Sequence, residues 1–146
     1  PLLAKERHTQ WNPDLIYFNN REVKPTTGYY VQKLYGQNAG NEYLPSKIVL
    51  DNKDDKVRKR FASSIVRDSV SGDVIVKLVN LLPVEVNTNV DLSGIGAVQP
   101  SAKRTVLTGK PTDTPLPVED RIQIAEKFDC NLPAYSFTVI RIQKAN

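Results

Sequence analysis

The chain has 146 residues, of which 40% are hydrophobic and 25% are charged. These values are typical of one globular domain and argue against a disordered tail. No apolar run approaches the roughly 18 residues that cross a bilayer, so we expect no membrane contact. The net charge of +4 is a small excess of 20 basic over 16 acidic residues, so nucleic acid is not an expected partner.

The chain has one cysteine, Cys130, and one histidine, His8. A single cysteine excludes an intrachain disulfide, and two soft ligands are too few for a structural zinc site. No histidine lies near Cys130 in the sequence to activate its thiol, so we expect that thiol to be inert. The sequence predicts neither a metal site nor a cofactor.

The first 45 residues hold most of the aromatic side chains and one helical pattern. Four residues recur at the spacing of one helix face: Tyr30, Val31, Leu34 and Tyr35. This spacing predicts a helix over residues 27–38. We expect threonine hydroxyls to accept hydrogen bonds from its first turn, and Gly40 to take the left-handed conformation at its exit.

After Leu44-Pro45 the apolar period changes to 2, which is typical of strands. The clearest strand covers 84–92, where Val84, Val86, Val90 and Leu92 face one side and polar residues face the other. Further strands are predicted at 48–50, 61–66, 74–79, 102–107, 122–128 and 135–142. Short strands separated by glycine and proline turns favour an antiparallel β-sandwich.

Two other segments are predicted to be surface loops. The basic stretch from Lys53 to Arg60 interleaves both charge signs and has no aromatic residue, so we expect a solvated loop leading into a strand. Residues 108–117 contain three prolines and are expected to be extended. The aromatic residues after position 45 are Phe61, Phe128, Tyr135 and Phe137, and most of them fall at inward-facing positions.

Three stretches carry a resemblance to a known family: residues 10–20 (QWNPDLIYFNN), 28–35 (GYYVQKLY) and 132–142 (LPAYSFTVIRI). They resemble the C-terminal region of α-L-arabinofuranosidases of glycoside hydrolase family fifty-one. This resemblance implies a mainly β fold, an antiparallel sandwich of jelly-roll type preceded by a short βα remnant of a (β/α)₈ barrel. Residues 1–45 would then end the catalytic barrel, and residues 46–146 would form the C-terminal sandwich.

The same resemblance implies what the parts of the first segment do. Residues 1–4 would be the end of the last barrel strand, residues 5–20 the loop after it, and the helix the eighth barrel helix. The chain begins without Met and without a signal-peptide pattern, so we expect it to be part of a longer protein.

The catalytic chemistry of the family depends on two glutamates, which would lie upstream of Pro1. Retaining hydrolysis needs two carboxyl groups about 5 Å apart, one of them with a raised pKa. The six glutamates of this chain are scattered singly, and none lies in a motif that resembles the catalytic ones. We therefore expect no catalytic residue here, and an inactive fragment.

The expected function is that of an accessory domain that stabilises the catalytic barrel of an α-L-arabinofuranosidase. The parent would remove terminal non-reducing arabinofuranosyl residues. Its expected partners are the barrel of the same chain and, through it, an arabinose-containing polysaccharide or oligosaccharide. The alternative is an autonomous carbohydrate-binding module, which would normally display two or three exposed aromatic residues.

Three residues of the 5–20 segment are candidates for sugar contact, because the carboxyl ends of barrel strands carry the active sites of such enzymes. Trp11 would stack on a sugar face, while Asn12 or Asp14 would accept hydroxyl hydrogen bonds. The alternative is that Trp11 packs between the two domains and that Asp14 caps the turn after Pro13. We expect His8, in the same segment, to be a surface residue.

Overall fold

The protein is described by a computed structural model that covers residues 2–8, 14–110 and 113–145. Two helices and eleven strands lie within these ranges. In chain order they are β1 (Leu3–Lys5), β2 (Ile16–Phe18), β3 (Val23–Pro25), α1 (Thr27–Gln37), β4 (Glu42–Tyr43), α2 (Asp55–Arg58), β5 (Phe61–Arg67), β6 (Val74–Asn80), β7 (Val86–Asp91), β8 (Val98–Thr108), β9 (Val118–Gln123), β10 (Lys127–Leu132) and β11 (Ser136–Lys144).

The fold is a mainly β antiparallel sandwich, as the sequence predicts. One sheet has six strands in the order β4-β5-β6-β11-β8-β9, and the facing sheet pairs β10 with β7. The chain crosses between the sheets after β6, β7, β9 and β10, which is the connectivity of Greek-key sandwiches.

The main core lies between the two sheets. The six-stranded sheet contributes Val76 and Ile140, and the two-stranded sheet contributes Val90, Phe128 and Leu132. Alternation along the strands places these side chains inward and leaves the neighbouring residues for the opposite face. The apolar period of 2 in the sequence therefore corresponds to this layer.

Helix α1 covers the outer face of the six-stranded sheet and confirms the predicted helix. Leu34 is buried against Ile75, Leu107 and Val139 in a second apolar cluster. The ring of Tyr35 stacks on Phe137 with 4.8 Å between centroids. The face predicted from the helical spacing is therefore the face that packs.

The predicted capping of α1 by threonine hydroxyls is wrong. Thr26 is the N-cap residue, but its side chain makes no capping hydrogen bond. Its hydroxyl donates to the carbonyl oxygen of Leu15 at 2.9 Å instead, and the Thr27 hydroxyl donates to that of Lys110 at 2.8 Å. These hydroxyls tie the helix start to neighbouring segments. At the other end Gly40 has φ of +64°, which confirms its left-handed conformation.

The first residues form a separate three-stranded sheet. Strand β1 pairs with β2 in parallel, and β2 pairs with β3 in antiparallel register. The segment between Lys5 and Asn20, predicted to be a loop, therefore contains a strand. Whether residues 1–45 and 46–146 are separate domains stays a prediction; β4, within the first range, pairs with β5 in the second.

Strands β5, β6, β7, β8 and β11 confirm five predicted strands with small shifts of their ends. The single strand predicted over 122–128 is wrong, because β9 ends at Gln123 and β10 begins at Lys127 in the other sheet. Ile124 and Phe128 are both buried in the core between the sheets. The apolar pattern continues through the crossing and conceals it.

Three further predictions after residue 45 are wrong. Residues 48–50 form no strand, and Val84 is exposed before β7 begins. The basic stretch contains the short helix α2, whose N-cap Asp54 accepts a hydrogen bond from the Lys56 N–H. Among the late aromatic residues Phe128 and Phe137 are buried, as expected of most of them, whereas Tyr135 precedes β11 and is 39% exposed.

Candidate functional site

The predicted sugar-contacting residues fall at the edge of what the structure describes. Trp11 and Asn12 lie outside the described residues, so their contact with sugar stays a prediction. His8 is exposed, as expected, and its N–H donates to the Lys5 carbonyl oxygen at 3.1 Å.

Asp14 is buried, with 4% of its surface exposed. Its N–H donates to the Tyr17 hydroxyl at 2.8 Å, and its carbonyl oxygen accepts from the Thr26 hydroxyl at 3.1 Å. These bonds hold Asp14 between β2 and the start of α1. Its role as a sugar ligand stays a prediction.

A polar cluster of Glu6, Asn19, Glu22 and Lys24 lies next to this segment. Because β1 and β2 are parallel and Lys5 is in register with Phe18, the next residues, Glu6 and Asn19, emerge side by side. The Asn19 side-chain amide donates to Glu6 Oε2 at 2.9 Å. The Asn19 side-chain oxygen accepts from the backbone N–H groups of Arg21 and Glu22, which shapes the β2–β3 turn.

Lys24 joins the two carboxylates of this cluster. Its Nζ lies 3.2 Å from Glu6 Oε1 and 3.0 Å from Glu22 Oε1. The hydrogen bond from Asn19 and the pairing with Lys24 lower the pKa of Glu6. Hydrogen bonds from Lys24 and Asn19 lower the pKa of Glu22, and the same two carboxylates raise the pKa of Lys24.

These electrostatics determine what the cluster can do chemically. A retaining glycosidase needs one carboxylic acid that stays protonated near neutral pH to donate to the leaving oxygen. Both Glu6 and Glu22 are shifted in the opposite direction and remain ionised. The cluster can accept hydrogen bonds, but it is not an acid–base pair.

Sequence reasoning missed this cluster because Glu6 lies thirteen positions from Asn19. Only the parallel pairing of β1 with β2 brings them together, and that pairing has no local sequence signal. The turn formed by Asn19 and Glu22 was the one detectable feature, since asparagine commonly bonds to backbone N–H groups two or three residues on.

A second polar cluster is structural. The Arg141 guanidinium donates to Asp73 at 2.6 Å and to Asp68 at 3.0 Å. These bonds fasten the β5–β6 turn to β11, and they raise the pKa of Arg141. Among the described residues no group of three or more histidine, cysteine or acidic side chains is arranged to hold a metal ion.

Two further observations concern the cysteine and the lengths of the helices. Burial raises the pKa of the Cys130 thiol, which agrees with an inert role. Neither helix within these ranges is long and apolar enough to cross a membrane.

These features define an antiparallel β-sandwich in which the carboxylates of the two polar clusters are engaged in structural ion pairs. Comparison with known proteins identifies the family. Residues 3–138 match the family described as "Alpha-L-arabinofuranosidase C-terminal domain", and the chain belongs to this family.

Several relatives agree with this assignment. The chain is 25% identical to alpha-L-arabinofuranosidase 1 of Arabidopsis thaliana, with 99% of this chain and 23% of the relative covered. It is 51% identical over 47 residues to an extracellular exo-alpha-L-arabinofuranosidase of Streptomyces chartreusis, which covers 32% of this chain and 6% of the relative.

A solved structure of a similar enzyme gives the same result. An arabinose-bound GH51 α-L-arabinofuranosidase superposes with a TM-score of 0.85 at 28% identity, covering 99% of this chain and 23% of that one. The chain therefore spans less than a quarter of each of these relatives.

Proposed function

We propose that this chain is the C-terminal accessory region of a longer α-L-arabinofuranosidase. The observation that carries the proposal is the match of nearly the whole chain to less than a quarter of the arabinose-bound enzyme. The parent hydrolyses terminal non-reducing α-L-arabinofuranosyl residues of arabinose-containing polysaccharides. Its acid/base and nucleophilic carboxylates come from outside these 146 residues.

The exposed face of the three-stranded sheet supports the proposal that this region packs against another part of the parent protein. The register places Leu3, Ile16, Phe18 and Val23 on one face of the β1–β3 sheet. Leu3 is 54% exposed and Val23 is 64% exposed. Lys5, in register with Phe18, is the charged residue on this face, and a mostly apolar exposed face of this kind normally packs against another part of a protein.

The proposed occupant of this face is the catalytic domain of the same parent chain. Residues 1–45 then form the end of the barrel, and the sandwich from residue 46 supports it. In the sequence, Trp11 and Asn12 follow the carboxyl end of β1, which would lie at the mouth of the barrel, whereas Asp14 lies two residues before the amino end of β2. In the parent, Trp11 stacks on a sugar face, and Asn12 or Asp14 accepts hydroxyl hydrogen bonds.

The substitution Val23→Asp in the full-length protein tests the packing of this face. A carboxylate buried without a partner destabilises a protein by about 1–3 kcal/mol. We expect a lower melting temperature for the full-length protein, together with faster loss of arabinose release on heating. The same substitution in the 146-residue chain leaves its melting temperature nearly unchanged, because Val23 stays in water there.

Val70→Asp is the matched control, since Val70 is 94% exposed on the β5–β6 turn. It should leave both proteins unaffected. Equal melting temperatures for the full-length protein and its Val23→Asp variant would contradict the proposed contact. A full-length protein that releases no arabinose from an aryl α-L-arabinofuranoside would contradict the proposed activity.

A further inference from the structure

One end of the sandwich carries a group of cations that have no carboxylate partner among the described residues. Residues 53–60 contain five basic residues and two acidic ones. All five basic side chains are exposed: Lys53, Lys56, Arg58, Lys59 and Arg60. Other basic residues, such as Lys103 and Lys127, have acidic partners within 3 Å.

The local structure concentrates these cations in one short helix and the turn after it. The Asp54 carboxylate accepts the Lys56 N–H at 2.8 Å and is committed to capping α2. Lys56 lies in α2, and Lys59 and Arg60 lie in the turn that follows it, so three exposed cations fall within five residues. The Leu81 N–H donates to the Arg60 carbonyl oxygen at 2.8 Å, which attaches the segment to the end of β6.

An exposed aromatic residue lies at the same end. Tyr135 has φ of +50°, a left-handed conformation that is costly for a bulky residue. Its N–H donates to the Leu82 carbonyl oxygen at 3.1 Å, and its own carbonyl oxygen accepts from Gly109 at 3.3 Å. These bonds fix the backbone from which the partly exposed ring projects.

The register of the sheet brings Tyr135 near the cations. Phe61 of β5 and Ser136 of β11 both pair with Asn80 of β6, one from each side. Arg60 and Tyr135 immediately precede these two residues. Strands two places apart in a sheet are separated by about 10 Å, so the backbones of Arg60 and Tyr135 lie roughly that far apart.

We propose that this surface, defined by residues 53–60 and Tyr135 and here termed the α2 end, binds a polysaccharide that carries uronate carboxylates. The Tyr135 ring packs against one sugar face, while Lys56, Lys59 and Arg60 pair with carboxylates of neighbouring sugars. The choice of a polysaccharide as the polyanion rests on the proposed function. The single aromatic platform and the interspersed Asp54 and Asp55 favour a polymer with one charge per sugar over the denser charge of duplex nucleic acid.

Sodium polygalacturonate is the probe, and neutral arabinan is its uncharged counterpart. We expect the 146-residue chain to be retarded in gels that contain polygalacturonate and not in gels that contain arabinan. The retardation should weaken at physiological salt, where the Debye length is about 8 Å. This assay measures binding and not turnover. A full-length protein that releases no arabinose would therefore contradict the proposed activity without deciding whether the α2 end binds polygalacturonate.

Variants locate the surface. The triple variant Lys56→Gln, Lys59→Gln, Arg60→Gln should weaken binding roughly tenfold at low salt, the combined effect of three exposed ion pairs. The matched control Arg21→Gln, Lys33→Gln, Arg121→Gln removes the same charge from exposed positions elsewhere and should weaken it far less. Tyr135→Asn, which tolerates the left-handed backbone, should lose several-fold in affinity, whereas Tyr135→Phe should retain it.

Several results would overturn the proposal. Equal losses in the triple variant and its control would show that binding follows net charge and not the α2 end. Equal binding of arabinan would exclude recognition of carboxylates. Tighter binding of duplex DNA than of polygalacturonate in the same salt would assign the surface to nucleic acid.

Discussion

Asn80 joins the β6–β7 and β10–β11 turns from a fully buried position at the end of β6. Its side-chain amide donates to the carbonyl oxygens of Val84, Leu132 and Pro133 at 2.9–3.2 Å, and its side-chain oxygen accepts from Leu82 N–H at 3.0 Å. Asn80→Ala leaves these buried groups unsatisfied, so we expect a loss of about 2–4 kcal/mol in the free energy of unfolding.

Chemical denaturation of the 146-residue chain measures this loss. Asn89→Ala serves as the control, because Asn89 is exposed and makes one side-chain bond, to Asp129 at 2.9 Å. It should cost well below 1 kcal/mol. Similar midpoints for the two variants would contradict the role assigned to Asn80.

Lys77 is a buried cation, 3% exposed, on the face of β6 that α1 covers. Its Nζ lies 5.4 Å from the centre of the Tyr35 ring, and none of the described ion pairs includes it. Burial lowers the pKa of Lys77. The folded state therefore binds this proton more weakly than the unfolded chain does, so the stability of the chain rises with pH between the folded and unfolded pKa values.

Lys77→Met should accordingly stabilise the chain at neutral pH, by about 1 kcal/mol after loss of the cation–π contact. The advantage should shrink as the pH rises toward the ordinary lysine pKa, because the wild-type side chain is then neutral as well. Melting temperatures at neutral and alkaline pH test both statements. Lys33→Met, at an exposed position of α1, should show neither effect, and a destabilised Lys77→Met would contradict the prediction.

At the scale of elements, Gly40 connects α1 to the sheet. A Cβ at this position would lie 2.6 Å from Val66 Cγ2 and 3.0 Å from the Arg67 carbonyl oxygen, and φ is +64°. Gly40→Ala should therefore destabilise the chain by about 1–3 kcal/mol through backbone strain and steric overlap.

Gly36→Ala, four residues earlier and within α1, should have the opposite effect on stability. Gly36 lies in α1, and a Cβ added there would meet no described atom of a neighbouring segment within 4 Å. Since alanine is the better helix former by up to about 1 kcal/mol, Gly36→Ala should raise the melting temperature. The two substitutions should thus shift thermal unfolding in opposite directions, and shifts of the same sign would contradict the described exit of α1.

The elements also show how far the sequence predicts the fold. Helix α1 and five strands follow from apolar periodicity, because packing on one face produces that periodicity. The crossing from β9 to β10 could not be predicted, since Ile124 and Phe128 point to one core from either side of it. The Glu6–Asn19 contact depends on parallel pairing, which no local pattern specifies.

For the whole molecule, the sandwich consists of a six-stranded sheet and a two-stranded sheet. The separate β1–β3 sheet has an apolar face that stays exposed. The sandwich core and the α1 cluster are buried among the described residues, whereas Leu3 and Val23 are more than half exposed. The proximity of Tyr135 to the basic residues of the α2 end became recognisable only with the fold, because the strand register brings Arg60 and Tyr135 to the same end of the sheet. Under the proposed function, these two surfaces are where the chain meets other parts of the enzyme and its substrate.

The most direct test of this account is arabinose release by the purified 146-residue chain from an aryl α-L-arabinofuranoside. We predict none above a buffer blank, because the proposed acid/base and nucleophilic carboxylates come from outside these 146 residues, and Glu6 and Glu22 are engaged with Asn19 and Lys24. The full-length protein that contains this chain should release arabinose under the same conditions. Turnover by the 146-residue chain alone would contradict the account.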